Sequence, residues 1–114
     1  MSAPADELLF TYGTLQYAEV QLDTFGRLVA GEPDVLPGYT IDYVEIEDQR
    51  VVELSGASVH PVLRETGNAV DKVMGSVLHL TADEVDAADE YEVSLYRRVR
   101  VTLGSGRVAW VYVG

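Results

Sequence analysis

Asp86, Asp89, Glu90 and Glu92 crowd one short stretch of the chain, and Arg97 and Arg98 close it. A carboxylate can take a proton from a substrate and hand it on if its pKa sits near the working pH. Burial achieves this, because desolvation disfavours the charged form and raises the pKa. The chemical question is therefore which of these acids leaves water. Thr81 followed three residues later by Glu84 is a capping box, so a helix is expected to begin there and run to about Glu92 or Val93. On that helix Val85, Ala88 and Glu92 fall at i, i+3 and i+7 and share one face. Val85 and Ala88 form the core-facing pair, and Glu92 points inward with them. Asp83, Asp86, Asp89 and Glu90 fall mainly on the other side. Periodicity alone leaves two readings open. Glu92 is a base on an apolar face, or it lies at a frayed helix end, where it reaches water or pairs with Arg97 or Arg98.

The elements that must position this acid can be read from the rest of the text. Leu8 to Tyr12 is short, apolar and rich in strand formers, and Gly13 stops it. A strand ending in Gly-Thr suggests a tight turn with exposed backbone N–H groups. Residues 17–25 are expected to form a short helix ending at Gly26. From Val35 to Val59 strands are favoured: Leu36-Pro-Gly-Tyr39 is a turn signal that leads into the alternating Tyr39, Ile41, Tyr43, and Asp48-Gln49 could turn that strand back. His60-Pro61 lies in a segment expected to be an edge strand or loop. Lys72 to Leu80 reads as a strand. Tyr96–Leu103 and Arg107–Val113 read as a hairpin around Gly104-Ser105-Gly106. Many strands with few helices imply an α+β fold, with one mixed, strongly curved sheet or small barrel and a helix against it.

Composition removes several classes of function. The 114 residues fit a single domain, and with no cysteine there is no disulfide, thiolate metal site or cysteine nucleophile. Eight Lys and Arg against 19 Asp and Glu give a formal charge of -11, which repels phosphate backbones, so nucleic acid is not an expected partner. The N-terminus lacks the basic and apolar regions of a signal peptide, and no apolar run approaches a membrane-spanning length. A cytoplasmic location with no membrane partner is the expectation, and a homodimer is left open. His60 and His79 stand nineteen residues apart without metal-ligand spacing, so no metal site is assigned. His79, in an apolar strand, is expected to be a satisfied structural histidine. Thr14 and Ser94 have no neighbouring base. Gly31, Gly38, Gly56 and Gly67 lack phosphate-loop spacing. Arg98 and Arg100 share a strand face with Tyr96, and Arg98 is expected to pair with helix acids. Tyr39, Tyr43 and Trp110 are expected in the core or a pocket wall.

The turn and the helix end together add a family. Phe10-Thr-Tyr-Gly-Thr-Leu15, the following Leu36-Pro-Gly-Tyr39, Val73-Met-Gly-Ser-Val-Leu-His-Leu80, then Asp89 to Val101 and Ala109 to Val113, resemble the γ-glutamylcyclotransferase-like family. The likeness is to its small bacterial and AIG2-like members and covers roughly residues 8–113. It implies a mixed β-barrel flanked by short helices, with a pocket beside the Tyr12-Gly13-Thr14-Leu15 turn. It implies that Glu92, at the end of the motif Asp89-x-x-Glu92, is the catalytic acid and base. It also implies that Tyr12, Gly13, Thr14 and Leu15 bind substrate and that Tyr112 lines the pocket. The implied reaction is the cofactor-independent cyclisation of a γ-glutamyl amine or γ-glutamyl amino acid, releasing 5-oxoproline and a free amine. Val93 departs from the family's usual Gly after the catalytic Glu, and Ala88 from its frequent Leu. Residues 40–58 look individual and bear on the pocket mouth. A non-catalytic small-molecule-binding or regulatory module on the same fold is the alternative reading, and a structural dimerisation domain is a third.

Overall fold

A computed structural model describes residues 4–45, 59–92 and 96–114. The turn expected at 48–49, Gly56, Val93, Ser94 and the side chain of His60 lie outside the described residues. Strand β1 (Glu7–Thr11) leads through a 3-10 turn at Thr14–Gln16 into helix α1 (Ala18–Phe25). Strands β2 (Gly31–Pro37), β3 (Tyr39–Glu45), β4 (Val59–Glu65) and β5 (Lys72–Leu80) follow. Helix α2 (Ala82–Glu92) and the hairpin β6 (Arg97–Thr102) and β7 (Val108–Val113) complete the chain.

Five strands form one sheet in the order β2-β5-β1-β7-β6, and β3 pairs with β4 in a separate ribbon. The large sheet is mixed: β1 runs antiparallel to β5 and parallel to β7. Strand alternation splits its side chains between two cores. Leu9, Leu78, Leu80 and Tyr112 pack with Leu15, Val29, Val85 and Ala88 on the helix side. Phe10, Val77, Ala109 and Val111 pack with Leu63 of the ribbon on the other side. Each such buried Leu, Val or Phe contributes about 1.5–3 kcal/mol through lost water contact.

The α+β class is as expected, and so are the curvature and the helix against the sheet, but the described strands do not close into a barrel. The tip of the β6–β7 hairpin instead curls over to β2, where the Gly104 N–H donates to the Val35 carbonyl at 2.8 Å. Strand β2 begins at Gly31, earlier than expected, and carries Pro33. It lies at the sheet edge, where a missing N–H is tolerated. His79 is not an internal histidine: its ring is exposed and pairs with Glu32.

Helix boundaries follow the chemistry of their caps. Glu84 accepts the Thr81 N–H at 2.9 Å while Thr81 Oγ1 accepts the Glu84 N–H at 3.2 Å, the reciprocal bonds of a capping box. Helix α1 stops at Gly26, whose φ of 72° suits a residue without a side chain. Gly75 answers a different need. A β-carbon there would strike the Thr11 carbonyl and the Phe10 ring, so its absence lets the end of β1 settle onto β5.

Candidate active site

The end of β1, the turn after it, the last turn of α2 and the end of β7 meet around one recess. Its cavity volume is about 30 Å³, it opens to solvent, and it is lined by Phe10, Thr11, Tyr12, Gly13, Thr14, Pro61, Glu92, Tyr96 and Tyr112. Five of the six residues expected to form a site therefore border the same space. The sixth, Leu15, turns its side chain into the helix-side core, where it is 1% exposed. Leu15 anchors the turn from behind and can face the recess only through its backbone.

Helical phase brings Glu92 to this place. Val85 and Ala88, 2% and 0% exposed, bury the face that Glu92 extends. Asp83, Asp86 and Glu90 remain exposed. Asp89 differs from the expectation: it reaches the sheet, accepting the Tyr112 hydroxyl at 2.7 Å and pairing with Arg98 at 3.3 Å. The helical wheel could not show this, because the partners come from strands that follow the helix in sequence. Arg98 does pair with a helix acid, as expected. It also stacks on Trp110, as does Arg100, at 4.3 Å and 4.0 Å from the ring centre. Trp110 thus lies against two cations on the helix side of the sheet, packed on the core there and not on the pocket wall. Its indole N–H donates to Glu7 at 3.1 Å.

The turn is held from below by a residue that the sequence did not single out. Gln21 of α1 is 5% exposed. Its amide donates to the Leu15 carbonyl at 3.0 Å and accepts the Val29 N–H at 2.9 Å. A buried amide satisfied at both ends fixes the turn more tightly than apolar packing alone.

Tyrosines surround Glu92, and their hydroxyls are committed elsewhere. Tyr12 donates to the Tyr112 carbonyl at 2.8 Å, and Tyr96 to the Pro61 carbonyl at 2.9 Å. Tyr112 donates to Asp89, and Tyr91 shares a short hydrogen bond with Thr14. Burial raises all four phenol pKa values, and the nearby Glu92 charge raises them further. Tyr96 is pushed up to about 12. Every phenol therefore keeps its proton at neutral pH. Burial likewise pushes the Glu92 carboxyl up to about 7. Among the described residues no hydrogen bond satisfies it and no cation lines the recess. Such an acid can exchange a proton near neutral pH.

Among the described residues no group of three or more metal-ligating side chains is assembled, and no helix is long and apolar enough to cross a membrane.

The chain and its fold are also similar to known proteins. A family model described as Gamma-glutamyl cyclotransferase, AIG2-like matches residues 9–114. No curated protein matches the chain in sequence. The fold is similar to the solution structure of an Arabidopsis thaliana protein, with a TM-score of 0.69 at 22% identity over 99% of this chain and 65% of that one. It is also similar to the crystal structure of an uncharacterised Homo sapiens protein, with a TM-score of 0.72 at 16% identity over 94% of this chain and 65% of that one. A third similar structure carries the name gamma-glutamyl cyclotransferase, with a TM-score of 0.67 at 18% identity and coverage of 94% and 65%. The chain thus spans 65% of the length of these three proteins.

Proposed function

Given that the chain belongs to the gamma-glutamyl cyclotransferase, AIG2-like family, we propose that it is an enzyme cyclising a γ-glutamyl amine or γ-glutamyl amino acid. Glu92 serves as its general acid and base, and the products are 5-oxoproline and the free amine. The observation that carries this reading is the Glu92 carboxyl itself, unpaired among the described residues and raised by burial to about 7. It borders the same recess as Tyr12, Gly13 and Thr14.

The chemistry uses these parts in order. Glu92 takes a proton from the substrate's α-ammonium group. The freed nitrogen attacks the γ-carbonyl carbon of the same molecule, forming the ring C–N bond and a tetrahedral intermediate. Backbone N–H groups of the Gly13–Leu15 turn hold the developing oxyanion or the substrate carboxylate. The bond to the leaving nitrogen then breaks as Glu92 returns its proton there. Of the three ammonium protons, one stays on the lactam nitrogen, Glu92 carries one to the leaving nitrogen, and the third is lost to solvent from the ring nitrogen after attack; the departing amine takes one proton back from solvent and leaves as an ammonium ion. Holding the substrate curled makes the attack intramolecular, and proximity lowers the barrier. The proton balance closes without an external oxidant, reductant or nucleotide.

The test is to incubate the purified protein with a panel of γ-glutamyl amines and γ-glutamyl dipeptides and to measure 5-oxoproline by mass spectrometry. A folded Glu92→Gln variant runs in parallel. Product from the wild type alone is expected. Equal product from both proteins would remove Glu92 from the mechanism. No product from any compound would favour a non-catalytic binding module.

A further inference from the structure

The recess is framed by three hydrogen bonds that close on one another. Thr14 and Tyr91 join the turn to α2. The Tyr112 hydroxyl donates to Asp89 at 2.7 Å and joins β7 to α2. The Tyr12 hydroxyl donates to the Tyr112 carbonyl at 2.8 Å and joins the turn to β7. Tyr112 is the one residue that enters two of these bonds, one through its side chain and one through its backbone. Asp89 and Tyr91 lie on the last turn of α2, the turn that carries Glu92.

We infer that Asp89 is a positioning residue: it pins the last turn of α2 to β7 through the Tyr112 hydroxyl and so holds the Glu92 carboxyl inside the recess. This rests on the reading of Glu92 as the base. A helix end frays unless something ties it, because its final turns lack onward hydrogen bonds. Packing cannot supply the whole tie, since the inward face beyond Ala88 offers only Tyr91 and Glu92 itself. The Asp89–Tyr112 bond lies one helical turn before Glu92, where it can fix the direction of the chain. Arg98 neutralises the second Asp89 oxygen at 3.3 Å and is itself braced on Trp110. The clamp is therefore backed by rigid strand, and it adds no net charge beside Glu92.

The test separates position from charge and does not depend on knowing the substrate. Tyr112→Phe breaks the bond and keeps the Asp89 charge. Asp89→Ala breaks it and removes the charge. Asp89→Asn removes the charge and keeps an oxygen that can accept the hydroxyl. The groups facing Glu92 (Tyr12, Tyr91, Tyr96 and Tyr112) stay protonated through neutral pH, so its own titration can be followed by carbon-detected NMR of labelled glutamate. In folded Tyr112→Phe and Asp89→Ala the Glu92 midpoint should fall by roughly one unit as water reaches the carboxyl, and in Asp89→Asn by less. With an accepted substrate, kcat should fall about tenfold in the first two variants with little change in KM, and less in Asp89→Asn. An unmoved Glu92 midpoint in both folded clamp-breaking variants would overturn the inference. So would an Asn variant as displaced as the Ala variant. If no substrate is turned over, the NMR result still decides the clamp, while the proposed reaction fails on its own test.

Discussion

Among the described residues, burial acts on the Asp34 and Glu92 carboxylates with opposite outcomes. The Asp34 side chain is 3% exposed at the join between β2 and the hairpin tip. Burial alone would raise its pKa. The Ser105 hydroxyl at 2.5 Å, the Val35 N–H at 2.8 Å, the Arg107 guanidinium at 3.0 Å and the Ser105 N–H at 3.3 Å overcome that and hold it low. Glu92 meets burial with no such donors among the described residues, because the phenols around it have spent theirs, and its pKa rises to about 7. The difference shows that burial does not by itself make an acid reactive. The number of donors aimed at a buried acid decides which way its pKa moves.

Removing each acid should expose this division of labour. Glu92→Gln should lower kcat by about a hundredfold to ten-thousandfold, the usual range for a lost general base, with the fold retained by circular dichroism. Asp34→Ala should leave folded protein active but cost about 2–3 kcal/mol of unfolding free energy, because Arg107 and Ser105 lose their shared partner. Denaturant titration reads the second loss and a turnover assay the first. Activity loss in both variants at matched folding would erase the distinction.

A pH series sharpens the same contrast. The Glu92 pKa is higher folded than the ordinary 4.5. Its contribution to stability is therefore full below that value and lost as pH rises through about 7. The Asp34 pKa lies below the ordinary 3.8. Its contribution is present above 3.8 and lost as pH falls through the folded value. Glu92→Gln should therefore be more stable than wild type at about pH 8.5, by about 1–2 kcal/mol for an acid that faces an open mouth, and should lose that advantage near pH 4. Turnover by the wild type should rise through about pH 7 as the base form accumulates. The smallest effect expected is at the start of α2, far from either acid. Thr81→Ala breaks the capping box and should cost about 1 kcal/mol, read as a small drop in Tm, with no change in the pH midpoint of turnover.

What the sequence disclosed follows the reach of its signals. The capping box at Thr81 and Glu84, the stop at Gly26 and the turn at Gly104-Ser105-Gly106 are local chemistry, and each appears where it was expected. The face shared by Val85, Ala88 and Glu92 is also local, since a helix repeats within a few residues. Asp34 carries no local signal because its satisfying partners, Ser105 and Arg107, are 71 and 73 residues away. Helical phase sets Asp89 mainly on the side away from Val85, Ala88 and Glu92, and its contacts leave no local signal for the same reason: its partners Tyr112 and Arg98 arrive with later strands. Residues 31–34, Gly-Glu-Pro-Asp, have the composition of a turn, and only the pairing of β2 along β5 makes them a strand. His79 alternates correctly along β5, yet its side chain clears the edge of the packed layer and meets Glu32. Long-range pairing, rather than propensity, decided each of these cases.

The most direct test of the central claim is to titrate both acids in one sample of wild-type protein, following the labelled side-chain carboxyl carbons of Asp34 and Glu92 by NMR. A Glu92 midpoint near 7 and an Asp34 midpoint below the ordinary aspartate value are expected. A Glu92 midpoint in the ordinary glutamate range would mean that water or an unseen donor satisfies it, and the claim that an unpaired acid powers this site would fail.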